Sequence, residues 1–153
     1  MTQLTLAKKP TEENIIKWVK TAKYYTIKER NTKVVPKPGE IYTVDMGVNV
    51  GSEINGVRPA IIISSTRFNM KSGTVLVVPL TGHEFARPGQ ILISEDVLEE
   101  GNVSGVGKIE MITTISKGRI GEYVGKLNEK GRRVLAQKLQ RFISPIHKKT
   151  FLR

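Results

Sequence analysis

The chain has 153 residues and no cysteine, which removes disulfides, thiolate metal sites and a cysteine nucleophile and fits a reducing compartment. Its 39% hydrophobic content is enough for one modest core, and no apolar run approaches the ~18 residues a membrane span needs. The net charge of +11 is unevenly placed: residues 1–35 carry +5, residues 36–116 carry −3 and residues 117–153 carry +9. Basic ends of this kind suit a polyanion, whether nucleic acid or acidic protein, although a solvated lysine-rich surface has the same composition. The opening MTQLTLAKKP lacks the apolar core of a signal peptide, so a soluble, cytoplasmic protein is expected.

Residues 1–10 read as a flexible lead. Thr11 is placed to cap a helix reaching about Arg30, with Glu12 and Glu13 at its positive end and Ile15, Trp18, Val19, Ala22 and Tyr25 at helical spacing. The prolines of NTKVVPKP then form a linker, giving a basic extension over residues 1–37. It reads either as a packing appendage or as a basic arm for a partner.

Three strand-like runs follow. Residues 40–46 alternate polar and apolar, Ala60-Ile61-Ile62-Ile63 is apolar on both faces and so central, and Thr74–Leu80 is a second buried run. Pro59 cannot donate to a ladder and belongs at the start of its strand. A loop over Gly82–Gly89 leads to a short strand, Gln90–Ser94. Residues 95–107, acidic and then glycine-rich, read as a connecting excursion, followed by strands at Lys108–Thr114 and Gly121–Lys126. Asn128 caps a last helix whose apolar face is Val134, Leu135, Leu139, Phe142 and Ile143; Pro145 ends it, and residues 145–153 form a basic mobile tail. Many short strands without βαβ alternation predict a mainly β, α+β fold built as a small twisted barrel.

The order G-E-I-Y-x-V-D from Gly39, G-S-E-x-x-G-x-R-P-A-I-I-I-S from Gly51, F-N at Phe68-Asn69 and V-x-P-L-T ending at Thr81 resembles the MazF/PemK (Kid-like) toxin endoribonucleases. The resemblance covers residues 38 to about 143 and implies an SH3-like Kid/MazF barrel over 38–144. It also implies a homodimer that cuts single-stranded mRNA without a cofactor, restrained by a cognate antitoxin whose acidic tail occupies the RNA groove. The N-terminal helix lies outside it. Two toxin-like alternatives keep the barrel without the nuclease: a toxin that binds a protein such as gyrase, and a non-catalytic RNA-binding module.

Metal-free RNA cleavage needs a base for the 2′-proton, a donor for charge on phosphorus and an acid for the leaving oxygen. Arg58 matches the family's catalytic arginine, and its planar fork suits two phosphate oxygens; the plain reading is an ion pair with Glu53 or Asp45. Thr81 matches the hydroxyl set against the scissile phosphate. Glu53 matches the acidic residue of the first loop, and Glu110 matches the position that serves as base in some members. Lys108, expected on the same strand face as Glu110, adds a second cation. His83, whose ordinary pKa lies near neutrality, Arg87 and Asn69 are expected RNA contacts. Two distant histidines and no clustered carboxylates offer no metal cage, so no metal is expected. Three positions depart from the family pattern: Gly82, where a second hydroxyl is common; Thr113, where arginine is usual; and Ser116, where aspartate is usual.

Overall fold

Glu40–Asp45 (β1), Val57–Ile62 (β2) and Thr74–Thr81 (β3) pair antiparallel in chain order. Around them lie Ile91–Ile93 (β4), Leu98–Gly101 (β5), Gly105–Gly107 (β6), Thr113–Ser116 (β7) and Ile120–Leu127 (β8). The strand order is β4-β6-β3-β2-β1-β8-β5, and β3 pairs with β7 through its first half and with β6 through its last two residues. The result is a nearly closed antiparallel barrel. The computed structural model describes residues 10–148, with side chains to residue 146. The expected N-terminal lead before Pro10 and the tail beyond Lys148 lie outside it.

Alternation divides the core in two. Ile41, Ile61, Val78 and Leu80 point to one face, where they join Ile91, Ile93 and Leu127; Val44, Ala60, Ile62 and Val77 point to the other and join Val75, Ile115 and Ile120. The helix Glu129–Ile143 (α3) covers the first cluster with Val134, Leu135 and Leu139. Asn128 caps it by accepting from the Gly131 amide at 2.9 Å. Phe142 and Ile143, expected on the same apolar face, are 49% and 55% exposed.

Several expectations change. Thr66–Lys71, for which no element was expected, is a short helix (α2), and the Ser65 hydroxyl caps it by accepting from the Phe68 amide. Residues 95–107 hold β5, β6 and a 3-10 turn, Glu95–Val97, rather than an open excursion. The strand expected over Lys108–Thr114 is a 3-10 turn, Ile109–Met111, followed by β7, so Lys108 and Glu110 do not share a strand face. Pro145–Lys148 forms a last helical turn (α4) where a mobile tail was expected. Pro59 stands third in β2 rather than first.

The N-terminal helix Glu12–Asn31 (α1) begins in a capping box between Thr11 and Asn14, which bond reciprocally. It lies on the barrel through Trp18, Tyr25 and Lys28: Arg119 stacks on the Trp18 ring at 5.0 Å, the Tyr25 hydroxyl donates to Asp45 at 2.9 Å, and Lys28 donates to the Ile120 carbonyl at 2.8 Å. Ile15 and Val19, on the outer side, are 51% and 67% exposed. No helix of the described residues is long and apolar enough to cross a membrane.

Burial and the Asp45 carboxylate push the Tyr25 phenol up to about 12 from its ordinary 10.0. The fold therefore favours the protonated phenol. Its contribution is complete below pH 10 and is lost as pH rises towards 12. Urea melts of Tyr25→Phe should show lower stability at pH 8 and a shallower decline between pH 10 and 12 than the parent chain.

Candidate active site

Two β-strand ends carry the candidate residues Arg58 and Thr81. The β2–β3 register runs Ile62↔Val77, Ile61↔Val78 and Ala60↔Pro79; Arg58 lies two residues before Ala60 and Thr81 two residues after Pro79, beyond the same end of this ladder. Both belong to the face of the second core cluster, alternating with Ala60 and Val77. The face continues across the neighbouring strands: Thr81 pairs with Val106 and Val106 with Leu92, so Lys108 and Gln90, two residues away, fall on the same side. The Lys108 amide donates to the Pro79 carbonyl at 2.9 Å.

Arg58 is half-buried, and burial pulls its pKa below the ordinary arginine value, though it stays charged at any working pH. Its Nε donates to the Asn55 carbonyl at 2.9 Å. The plain reading of Arg58 as half of an ion pair fails: among the described residues no carboxylate lies within ion-pair distance of it. Asp45 instead accepts from Tyr25 and from the Gly47 amide, and the exposed Glu53 accepts from the Val50 amide at 3.1 Å inside its own loop. Thr81 is 8% exposed, and its Oγ1 is buried without a hydrogen-bond partner among the described residues. A buried hydroxyl left unpaired costs about 1–3 kcal/mol.

Glu110 lies beside this face rather than on a strand of it. Its Oε1 accepts from Gln90 Nε2 at 2.5 Å and stands 4.0 Å from Lys108 Nζ. Gln90, 7% exposed, also accepts from the Arg87 amide at 3.0 Å and so ties the 82–89 loop to Glu110. Under that loop His83, Glu84, Phe85, Arg87, Gln90 and Lys108 line an open pocket of about 240 Å³. Phe85 stands 84% exposed at its edge. Among the described residues no three His, Asp or Glu side chains converge as a metal site.

Residues 37–143 match the family model of the PemK-like, MazF-like toxins of type II toxin–antitoxin systems. The chain belongs to this toxin family. It is 30% identical over 87 residues to the endoribonuclease toxin MazF of Escherichia coli (strain K12), covering 57% of this chain and 77% of that one. MazF from Deinococcus radiodurans superposes with a TM-score of 0.64 at 20% identity, over 73% of this toxin and 99% of that chain. An endoribonuclease from a mycobacterial species, solved in complex with its cognate antitoxin, superposes at 0.58 and 21% identity over 72% and 94%. The relatives' names favour the nuclease over the protein-binding and non-catalytic alternatives.

One expected contact of the toxin is corrected. Asn69 is fully buried: its amide donates to the carbonyls of Pro36 at 2.7 Å and Ser64 at 3.1 Å, while its oxygen accepts from the Ser64 hydroxyl at 2.6 Å. Its backbone carbonyl also accepts from the buried Lys117 ammonium. Asn69 ties α2 to the linker and the barrel and has nothing left for RNA. Of the unusual positions, Ser116 caps the 3-10 turn Lys117–Arg119 by accepting from the Gly118 amide.

Two site residues escaped the sequence reading. Asn55 acts through its backbone carbonyl, which leaves no mark on residue type. Gln90 does carry one: a polar residue in alternation with Leu92, at the mouth of a loop rich in charge. Asn69→Ala should cost the toxin about 1–3 kcal/mol, by stranding the Pro36 and Ser64 carbonyls. Denaturant melts check this, and RNA affinity of the folded variant should be unchanged.

Proposed function

We propose that this toxin endoribonuclease cuts single-stranded RNA without a metal, using the RNA's own 2′-hydroxyl as nucleophile. The observation that carries the reading is the placement, beyond one end of the β2–β3 ladder, of a guanidinium at Arg58 that no described carboxylate pairs with and a hydroxyl at Thr81 that no described residue hydrogen-bonds. Each lacks what a phosphate diester provides, a charged acceptor oxygen. A scissile phosphate between them satisfies both and relieves the cost of the unpaired hydroxyl.

In this reading the 2′-oxygen forms a bond to phosphorus, its proton passes to Glu110, and the bond from phosphorus to the 5′-oxygen breaks. That oxygen takes a proton from solvent water and departs as a 5′-hydroxyl, leaving a 2′,3′-cyclic phosphate. Arg58 holds the negative charge that gathers on the non-bridging oxygens, and Thr81 donates to one of them. Lys108, 4.0 Å from Glu110, adds a second cation beside that carboxylate. Glu53, bonded within its loop, shapes the loop beneath Arg58.

His83, Arg87 and Lys108 around the 240 Å³ pocket contact the strand beside the cut, and Phe85 offers an exposed ring for a base to stack on. A single strand is preferred because the nucleotide must unstack to align its 2′-oxygen. The catalytic barrel comprises residues 38–144, flanked by the basic segments 1–37 and 145–153. The toxin works as a cytoplasmic homodimer, and its +11 charge suits an acidic antitoxin as well as RNA.

Arg58→Ala should cut about 100-fold or more slowly while remaining folded, the loss of roughly 3–4 kcal/mol that removing one preorganised donor brings. Thr81→Val should lose less, since only a neutral hydrogen bond goes. Single-turnover cleavage with a parallel melt measures both. A folded Arg58→Ala protein that cuts at the parent rate ends the assignment.

A further inference from the structure

The 20-residue helix α1 lies ahead of the matched family segment, yet its contacts lead to Arg58. Gly47, at the root of the loop between β1 and β2, has φ +81° and lies flat under the Trp18 indole. A Cβ there would stand 2.6 Å from the ring. Arg119 closes the stack from the barrel side, 5.0 Å from the same indole, and donates to the Met46 carbonyl at 3.4 Å. One turn-pair along the helix, Tyr25 donates to Asp45, whose other oxygen accepts from the Gly47 amide at 2.9 Å. Three successive residues, Asp45, Met46 and Gly47, are thereby held from outside the loop.

Met46 and Gly47 also close the loop's root. Gly56 donates to the Gly47 carbonyl and Met46 donates to the Gly56 carbonyl, each at 2.9 Å. Inside the loop, Asn49 donates to the carbonyls of Met46 at 2.8 Å and Ile54 at 2.7 Å. Asn55, next to Gly56, gives its carbonyl to Arg58 Nε, the one fixed bond of that guanidinium. An unbroken run of contacts joins Trp18 and Tyr25 to Arg58.

We infer that α1 is a brace for the active site, with Trp18 and Tyr25 as positioning residues that set the Arg58 guanidinium through the root of the 47–56 loop. The inference rests on the reading of Arg58 as the charge-stabilising group. Loss of the brace leaves Arg58 present but loose, and a displacement of about 1 Å at a charge-stabilising group costs up to ~100-fold in rate. The basic charge of α1 has no part in this effect, so the salt dependence of RNA affinity stays as it is.

The test is a double-mutant cycle on the full chain, read as single-turnover rate well below each variant's melting temperature. Trp18→Ala should cut 10- to 100-fold more slowly with KM within about twofold of the parent, and Trp18→Phe, which restores a ring over Gly47, should recover most of the rate. Tyr25→Phe removes a single oxygen and should lose rate in the same direction, which keeps the test open if Trp18→Ala fails to fold. In an Arg58→Ala background both changes should cost almost nothing further, because there is no guanidinium left to position. Equal losses with and without Arg58, or a raised KM with a flattened salt slope, overturn the brace. A crippled Arg58→Ala protein beside a Trp18→Ala and a Tyr25→Phe protein of parent activity overturns it alone; a fully active Arg58→Ala protein overturns the catalytic reading beneath it.

Discussion

The pairing of β2 with β3 is the contact on which the rest depends. It runs through the middle of the sheet, with Ile61 and Val78 buried in one core cluster and Ala60, Ile62 and Val77 in the other. A strand buried on both faces cannot slip by one residue without turning its whole apolar set over. The register is therefore rigid, and the two polar residues at its open end inherit that rigidity. Arg58 and Thr81 lie beyond the same end of that ladder, whose five apolar side chains have no other way to pack.

The electrostatics follow from the same frame. The middle of the chain is mildly acidic, yet no described carboxylate pairs with Arg58; Asp45, the nearest candidate by register, is taken up by Tyr25 and the Gly47 amide. Glu110 is engaged by Gln90 and stands near Lys108. The described acidic groups nearby are thus spent on loops and helices, and one end of the β2–β3 ladder keeps a cation without a carboxylate partner and a hydroxyl without a hydrogen bond. An unmet hydrogen bond kept at one place, against a well-packed background, points to function. The family match over residues 37–143 gives that mark its chemistry.

Much of this was legible in the sequence, for physical reasons that can be named. β1, β2 and β3 stand out because their alternation or double burial is strong, and α1 and α3 because Thr11 and Asn128 are good caps ahead of helical periodicity. What escaped was short or depended on distant contacts. The strands β5 and β6 span four and three residues and are held by β8 and by β3 and β4, so no local pattern announces them. The 3-10 turn at Ile109–Met111 hides in an apolar run that reads as strand. Asn69 looked like a polar surface residue because nothing in its neighbourhood in sequence reveals the Pro36 carbonyl, 33 residues away. Arg58 and Thr81 were legible as residues; that no described carboxylate pairs with Arg58 and no described residue bonds the Thr81 hydroxyl became visible only in three dimensions.

The central claim is that the phosphate, held between a fixed cation and a hydroxyl, is attacked by its own neighbouring 2′-oxygen. The most direct measurement follows one short single-stranded RNA carrying a mapped cut site, in EDTA, beside an otherwise identical strand with a single 2′-deoxyribose before the cut. The account predicts that the RNA is cut to a 2′,3′-cyclic phosphate and a 5′-hydroxyl, and that the substituted strand resists. Cleavage that stops in EDTA and returns with magnesium, or that leaves a 5′-phosphate, would contradict it.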